Sequence, residues 1–307
     1  MASVLALAGL GKDYGDRRAV DAVDLEIEAG TIVGLLGPNG AGKTTTISMA
    51  SGVVTPSRGT ARVDGHDVWR APRLAKRALG LVPQELALYD ELSARQNLRY
   101  FGQIYGLAGA ELVARIDWAL GVAGLTDRAT EAVSKYSGGM KRRLNLAAGV
   151  LHKPKLLILD EPTVGVDPQS RNHIFETVKT LQGEGMTVLY TSHYMEEVEA
   201  LCDRVAIMDH GKLVAAGTIA ELVASLGGEG FDLEIEGDAA AARTAAAALA
   251  NPIGGEGAIV RLPEVQPLAP VLAAIEATGA IIKSIASRRG NLEGVFLALT
   301  GKALRDE

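Results

Sequence analysis

Residues 37–44 read Gly-Pro-Asn-Gly-Ala-Gly-Lys-Thr, and this octapeptide constrains the architecture more than any other part of the chain. It has the form G-x-x-x-x-G-K-[ST], a glycine-rich loop that wraps backbone N–H groups around a phosphate. The apolar run at 31–36 predicts a buried strand before the loop, and residues 44–50 predict a helix after it. Because a helix N-terminus favours an anion, this context predicts a nucleoside triphosphate site.

The residue types of the loop match that task. Its glycines let the backbone turn with no Cβ in the way. Lys43 supplies a positive charge for the β- and γ-phosphates, and Thr44 supplies a hydroxyl ligand for Mg²⁺. The candidate nucleotide-binding residues of this segment are Gly37, Pro38, Asn39, Gly40, Ala41, Gly42, Lys43, Thr44 and Thr45.

The bulk properties bound the class of protein. With 307 residues, the chain is long enough for one large domain or two smaller ones. It has no apolar run of about eighteen residues and no secretory N-terminus, and Cys202 is its single cysteine, so we expect a cytoplasmic protein. The net charge of −6 argues against nucleic acid as the main partner, since that partner usually needs a basic face.

Short apolar segments alternate with helical ones over the first two thirds of the chain, which predicts an α/β core with a partly parallel sheet. Residues 11–16 are predicted to form a polar turn. Residues 91–150 show helical periodicity and little strand signal, so a helical subdomain at about 88–150 is expected inside the α/β domain. The predicted strands are 3–10, 23–28, 31–36, 79–83, 156–160, 187–192 and 204–209.

The glycines at 227–230 are typical of a linker, and they divide the chain into a domain at 1–227 and a second one at 228–307. The second domain is predicted to be a small α+β unit. Its predicted strands and helices are, in order, 231–236, 239–250, 257–262, 268–278, 281–286 and 291–299.

Two adjacent carboxylates end the predicted strand 156–160. Ligands of open α/β sheets bind where strands end, so Asp160 is the candidate partner of Thr44 in holding Mg²⁺. Glu161 is the candidate general base for an attacking water. The other interpretation is a plain strand end with two solvated acids, and the phosphate loop in the same chain argues against it.

Ser137-Gly138-Gly139 opens a helical stretch that reaches Val150. Serine is a favoured N-cap, and the glycines leave backbone N–H groups open to an oxyanion, so this turn is a second phosphate-seeking helix N-terminus. One nucleotide does not easily need two such loops from one domain, and a second copy of the chain resolves the difficulty. The other interpretation is an ordinary capped helix after a turn.

Together these segments resemble the nucleotide-binding domain of ATP-binding cassette (ABC) transporters, a P-loop NTPase core with a helical insert, over residues 3 to about 225. The Ser137-Gly138-Gly139 turn matches the family's signature motif, with Tyr136 in place of the usual Leu and Met140 in place of the usual Gln. The resemblance implies that ATP is sandwiched between Lys43 of one subunit and Ser137 of a second copy.

The resemblance also implies roles for four further residues. Gln84 matches the Q-loop glutamine, and His193 matches the switch histidine that contacts the γ-phosphate. Asp167 lies in a segment like the family's D-loop, and Tyr14 sits where the family places an aromatic ring that stacks on adenine. The implied catalytic set is Lys43, Gln84, Glu161 and His193, and the implied magnesium set is Thr44, Gln84 and Asp160.

The segments 136–140 and 291–301 resemble those of bacterial ABC-2-type export ATPases of the daunorubicin-exporter kind. This implies an ATP hydrolase that works as a head-to-tail dimer, on the inner face of the cell membrane, and drives multidrug or other export through a separate integral-membrane permease. The alternative is a soluble ABC-type ATPase that acts as a regulatory or nucleotide-switch module without a permease. The sequence leaves the cargo open.

Two surface patterns of the helical subdomain complete the expectations. By resemblance this region meets the membrane subunit; Tyr89 is the docking candidate, whereas Phe101 and Tyr105 share a helix face with Leu98 and are predicted to be core. The basic run 140–143 is predicted to be a solvated helix face.

Overall fold

The computed structural model describes residues 3–225, 230–250, 257–263, 267–288 and 290–300. The chain divides into two compact units, Met1–Ala216 and Gly217–Glu307. The predicted boundary between residues 227 and 228 lies outside the described residues and stays a prediction, as do the linker positions 227–229. Gly230, which was predicted to belong to the linker, is the first residue of a strand.

Strands and helices alternate as an α/β chain should. The strands are β1 (Ser3–Tyr14), β2 (Arg17–Glu28), β3 (Ile32–Leu36), β4 (Arg58–Val63), β5 (His66–Asp67), β6 (Leu79–Val82), β7 (Leu156–Asp160), β8 (Thr187–Ser192), β9 (Arg204–Asp209), β10 (Lys212–Gly217), β11 (Gly230–Glu236), β12 (Ile259–Pro263) and β13 (Ile281–Arg288). The helices are α1 (Lys43–Ala50), α2 (Pro72–Arg77), α3 (Ala94–Ile104), α4 (Gly109–Val122), α5 (Gly138–Val150), α6 (Pro168–Gly183), α7 (Met195–Leu201), α8 (Ile219–Ser225), α9 (Ala239–Ala247), α10 (Ala269–Glu276) and α11 (Leu292–Thr300).

A six-stranded sheet in the order β10-β9-β3-β8-β7-β6 carries the phosphate loop. The pairs β3–β8, β3–β9, β6–β7 and β7–β8 are parallel. Every residue of β3, β7 and β8 is buried, which explains their continuous apolar sequences, because parallel strands are covered on both faces. The carboxyl ends of these three strands meet at one edge, where the loop at 37–42, the acidic pair at 160–161 and His193 follow.

A second, antiparallel sheet in the order β2-β1-β4-β5 corrects one expectation. Residues 11–16 were predicted as a turn, but β1 continues to Tyr14 and only Gly15 and Asp16 form the turn. The register between β1 and β2 shifts repeatedly between Leu7 and Asp13, so bulges absorb the glycines that looked like a turn signal.

The helices α3, α4 and α5 share a core that includes Leu98, Ile116 and Leu144. Phe101 packs against this core as predicted. Tyr105 does not: it is 37% exposed, and its ring stacks on His152 at a centroid distance of 3.6 Å. Helical periodicity placed it on the Leu98 face, but α3 ends at Ile104, so Tyr105 already leaves that face.

The second unit contains a three-stranded antiparallel sheet in the order β12-β11-β13. Alanines of α9 and apolar residues of α10 cover Leu233 and Val260 to form its core. Alanine has a high helix propensity, which favours a helix in this segment. Its small side chains also allow α9 to pack closely on the sheet.

Candidate functional site

The loop at 37–42 ends in two glycines with positive φ, +80° at Gly40 and +102° at Gly42. At Gly42 a Cβ would also lie 2.8 Å from the carbonyl oxygen of Ala19, so both the backbone angle and the space exclude other residues. Gly42 is the N-cap of α1, and no side chain of the described part of the chain caps this helix. Its first N–H groups are thus available to an anion.

A cavity of about 760 Å³ lies over this loop, within the usual range for small-molecule sites. It is formed entirely by residues of the first unit. Its lining residues are Tyr14, Arg17, Arg18, Ala19, Pro38, Asn39, Gly40, Gly42, Lys43, Thr44, Thr45, Gln84, Glu161, His210 and Gly211. The structure therefore brings the predicted aromatic ring, most of the loop, Gln84 and Glu161 around one space.

Lys43 forms the charged floor of the cavity. Its side chain is buried, and Nζ donates to the carbonyl oxygens of Gly37 at 2.7 Å and Pro38 at 3.3 Å. Nζ also lies 3.4 Å from Oε1 of Glu161. Burial lowers the pKa of Lys43, and the neighbouring carboxylate of Glu161 opposes that shift. A phosphate entering the cavity would meet a desolvated cation, which strengthens the attraction.

Asp160 lies behind the loop, buried at the end of β7. Thr191 Oγ1 donates to Asp160 Oδ1 at 2.8 Å and accepts from the backbone N–H of Glu161 at 2.9 Å. Burial raises the pKa of Asp160, and hydrogen bonds from Thr191 and Thr44 counteract it. Of the three predicted magnesium ligands, Thr44 and Asp160 therefore lie near each other, and Gln84 lines the same cavity as Thr44.

This donor set fits Mg²⁺, which prefers oxygen ligands. No group of three His, Cys, Asp or Glu side chains suited to a metal occurs among the residues that the structure describes. A magnesium ion at Thr44 and Asp160 would therefore need phosphate oxygens and waters to complete its shell, which is its usual mode of binding at nucleotides.

Glu161 is the meeting point of the predicted catalytic side chains. Gln84 Nε2 donates to its Oε2 at 3.3 Å, and His193 Nδ1 lies 3.4 Å from its Oε1. Its backbone has φ = +45°, a left-handed conformation that costs about 1–3 kcal/mol in a non-glycine residue. The turn between Asp160 and Glu161 thus directs the second carboxylate to Lys43 and His193.

Tyr14 lies at the other end of the cavity with half of its surface exposed. Lys12 Nζ lies 5.0 Å from the centroid of the Tyr14 ring and donates to the carbonyl oxygen of Thr55 at 2.7 Å. The lysine thus lies over the Tyr14 ring, and the half-exposed ring also lines the cavity.

The sequence reasoning missed five of the lining residues. Arg17 and Arg18 add positive charge beside Tyr14, and a basic pair directly after the Tyr14 turn was a usable signal. Ala19, His210 and Gly211 reach the cavity only through tertiary contacts, such as the hydrogen bond from the N–H of Asp21 to the carbonyl oxygen of Gly211 at 2.8 Å. No local sequence pattern indicates them.

The turn at Ser137 forms a separate group that does not line the cavity. Ser137 caps α5 by accepting from the N–H of Met140 at 3.3 Å, and Gly138 is exposed. Gly139 is buried against α6, where Asp167 caps the helix by accepting from the N–H of Ser170 at 2.9 Å. Within one chain, Ser137, Gly138, Gly139 and Asp167 are therefore not brought to the phosphate loop.

The basic run is more than the solvated helix face that was predicted. Arg142 is half-buried; its guanidinium donates to the carbonyl oxygen of Gln84 and, at 3.2 Å, to that of Val164. Lys141 pairs with Asp90 at 2.9 Å. Helix α5, which Ser137 caps, is thus joined by hydrogen bonds to the segments that carry Gln84 and Glu161.

Comparison with known proteins adds independent support. A family model described as ABC transporter matches residues 20–164. The chain is 44% identical to a linearmycin resistance ATP-binding protein of Bacillus subtilis, covering 99% of this chain and 100% of that one. It is 39% identical to a daunorubicin resistance ATP-binding protein of Streptomyces coeruleorubidus, covering 97% and 96%, and 41% identical to a Nod factor export ATP-binding protein of Cupriavidus metallidurans, covering 100% of both.

A solved structure is similar to much of the chain. It is cbiO1 of Clostridium perfringens, described as part of the ABC transporter complex cbiONQ. The TM-score is 0.66 at 28% identity, over 73% of this chain and 92% of that one. The predicted α/β fold with a phosphate loop is confirmed.

Proposed function

This chain belongs to the ATP-binding subunits of ABC transporters of the exporter type, and we propose that two copies of it hydrolyse ATP in shared sites to drive export through a separate membrane permease. The family membership makes the chain an ATP hydrolase. What the proposal adds is the role of each residue, the pairing of two copies and the partner. The single observation that carries it is the cavity that joins Tyr14 to Lys43 and Glu161.

ATP fits this cavity by its chemistry. The half-exposed ring of Tyr14 stacks on the adenine, and the N–H groups of the loop together with Lys43 hold the β- and γ-phosphates. Arg17 and Arg18 also line the cavity, and the guanidinium of Arg18 is paired with Asp13 and Asp21. Thr44, Asp160 and Gln84 would hold Mg²⁺, which when bound would neutralise charge on the phosphates.

Hydrolysis needs a base beside the γ-phosphate. Glu161 Oε1 accepts a proton from water as the water oxygen forms its bond to the γ-phosphorus; the bond to the bridging oxygen breaks, and ADP and phosphate leave. His193, at 3.4 Å from the same oxygen, contacts the γ-phosphate. The ammonium group of Lys43 exchanges its ion pair with Glu161 for one with the phosphate, so that the carboxylate is available to the water.

The group around Ser137 supplies the second wall of the site from another copy. Gly138 is exposed, and among the described residues no atom beyond its chain neighbours and its own helix lies within 4 Å of a Cβ built on it, so the turn has room for an incoming phosphate. The N-terminus of α5 then meets the γ-phosphate of the partner's ATP. Loss of that phosphate removes the charge that holds the two copies together, which is a switch biased by a ligand.

A membrane protein is the proposed second partner. Relatives are named for drug resistance and export, and one related structure is described as part of a transporter complex. Within the residues that the structure describes, no helix is both long and apolar enough to cross a membrane. Tyr89 and Tyr100 expose an edge-to-face ring pair on the helical subdomain, which we propose as the docking point at the cytoplasmic face. Failure to co-purify with any integral membrane protein would count against this partner.

Two variants test the shared site. Lys43→Ala should abolish ATP binding and hydrolysis, because the buried cation is lost. Ser137→Arg should leave nucleotide binding by a single chain intact but reduce hydrolysis at least about a hundredfold, since the new side chain fills the turn that faces the partner.

The matched control is Arg128→Ala, which removes an exposed ion pair with Glu131 and should leave the rate unchanged. Rates are measured by phosphate release and binding by equilibrium titration. Full hydrolysis by Ser137→Arg would refute the proposed pairing, and full hydrolysis by Lys43→Ala would refute the proposed cavity.

A further inference from the structure

Glu197 of α7 is a charged side chain in the interior, only 2% exposed. Its Oε2 accepts three hydrogen bonds, each 2.9 Å long, from the hydroxyl groups of Thr163, Tyr190 and Ser192. Burial, together with the adjacent carboxylate, raises the pKa of Tyr190 well above its usual value, so the phenol stays protonated and donates. Three hydroxyl groups from two segments, the turn after β7 and strand β8, thus converge on one carboxylate oxygen.

The positions of two donors connect this oxygen to the proposed hydrolysis site. Thr163 lies two residues after Glu161, in the turn whose first residue has φ = +45°. Ser192 is the last residue of β8, directly before His193, and its Oγ also accepts from the N–H of Tyr194 at 2.9 Å. Ser192 therefore holds the backbone on both sides of the histidine.

The fold alone does not require a carboxylate here. The neighbouring inward positions of α7 are Val198 and Leu201, and a well-packed apolar residue is generally no less stable than a buried charge. The nearest cation to the other oxygen, Oε1, is the half-exposed Arg171, whose Nη1 is 3.8 Å away. Hydrogen bonds from the three hydroxyls therefore offset most of the desolvation cost, and they do so where the turns beside Glu161 and His193 need to be fixed.

We infer that Glu197 is a positioning residue for hydrolysis: it ties the turn after Glu161 to the turn that carries His193 and so maintains their 3.4 Å approach. This inference rests on the proposed roles of Glu161 and His193. Glu197 lines no part of the cavity, so it acts on the rate and not on ATP affinity.

Substitution of Glu197 by Leu and by Gln separates positioning from simple stability. Glu197→Leu keeps most of the volume but removes the acceptor; we expect kcat to fall at least about tenfold with the KM for ATP and the binding constant within about twofold of wild type. Glu197→Gln has an amide oxygen that can accept hydrogen bonds from the hydroxyls, so its kcat should be close to that of wild type. Glu196→Gln, the same change at the adjacent exposed position, is the control and should match wild type.

Smaller changes on the donor side decide the matter if the leucine variant does not fold. Ser192→Ala and Thr163→Val each remove one hydroxyl and should lower kcat several-fold at unchanged KM. Where the leucine variant folds, adding Ser192→Ala to Glu197→Leu should lower kcat by less than the product of the two single effects, because both changes remove the same hydrogen bond.

Wild-type kcat in Ser192→Ala and Thr163→Val, or effects that multiply in the double variant, would overturn the inference. Glu161→Gln is measured in the same assay to separate the two levels of the account. If that variant hydrolyses ATP at the wild-type rate, the proposed base is wrong; if it is inactive while the Glu197 variants keep full kcat, only the positioning role fails.

Discussion

At the level of single residues, the site is organised around the buried pair Lys43 and Glu161. Their charged atoms are 3.4 Å apart, and both side chains are less than 10% exposed. Burying such an ion pair has a desolvation cost, and losing one partner leaves the other charge buried without compensation. A γ-phosphate is a stronger partner for the lysine than the carboxylate is, so we expect ATP to exchange one ion pair for another and to leave Glu161 facing the water.

His152 provides a residue-scale prediction about pH. It is packed under the Tyr105 ring with Nε2 2.9 Å from the carbonyl oxygen of Leu79, and burial lowers its pKa from 6.5 to about 4. Because the unfolded chain takes up a proton between pH 6.5 and 4 while the folded chain does not, stability is complete above pH 6.5 and is lost as the pH falls. The free energy of unfolding should drop by about 1–2 kcal/mol between pH 7 and pH 5 through this residue.

Comparison with His152→Gln measures that contribution. The variant should lose clearly less stability than wild type over the same pH interval. Both tryptophans, Trp69 and Trp118, lie in the first unit, so denaturation followed by tryptophan fluorescence reports the unit that contains His152. Equal losses in the two proteins would show that protonation of His152 is not coupled to unfolding.

At the level of elements, the start of α5 has two adjacent glycines, and the surroundings of each give a different reason for a residue without a side chain. A Cβ on Gly139 would lie 2.0 Å from Ser170 Oγ, which is held by Asp167 Oδ2 at 2.8 Å. A Cβ on Gly138 would meet no atom within 4 Å. Gly139 is thus needed for the packing of α5 on α6 in a single chain, whereas the space beside the exposed Gly138 is open.

Alanine at each glycine should therefore have opposite consequences. Gly139→Ala should destabilise the first unit by about 1–3 kcal/mol through overpacking. Gly138→Ala should leave that stability unchanged or slightly raised, because alanine favours the helix, yet it should lower hydrolysis at least about tenfold. Thermal unfolding and phosphate release are measured on both. A fully active Gly138→Ala, or equal destabilisation by the two changes, would contradict the assignment.

The sequence predicted those elements whose signal is local. The phosphate loop, the all-buried strands β3, β7 and β8 and the helices α3–α5 follow from patterns within about a dozen residues. The short strands β4, β5 and β10 and the helix α2 carry too little periodicity to be recognised. The missed cavity residues, and Arg142 on its two carbonyl oxygens, depend on contacts between distant parts of the chain, which no local pattern encodes.

At the level of the whole molecule, the two helix N-termini proposed to bind phosphate lie at separate places on one chain. Those of α1 and α5 belong to the same unit, but only the first opens into the cavity. A single chain therefore holds half of the proposed site in usable form and presents the other half at its surface. Pairing of two copies would complete both halves at once, as a symmetric dimer requires.

We expect ATP to join two copies of this chain, and light scattering on Glu161→Gln with saturating ATP and Mg²⁺ measures whether it does. Because this variant should bind ATP without hydrolysing it, we expect a particle of twice the mass of one chain. We also expect single chains without nucleotide, and single chains when Ser137→Arg is added. A particle that stays at the mass of one chain at saturating ATP, or a dimer that Ser137→Arg leaves intact, would contradict this expectation.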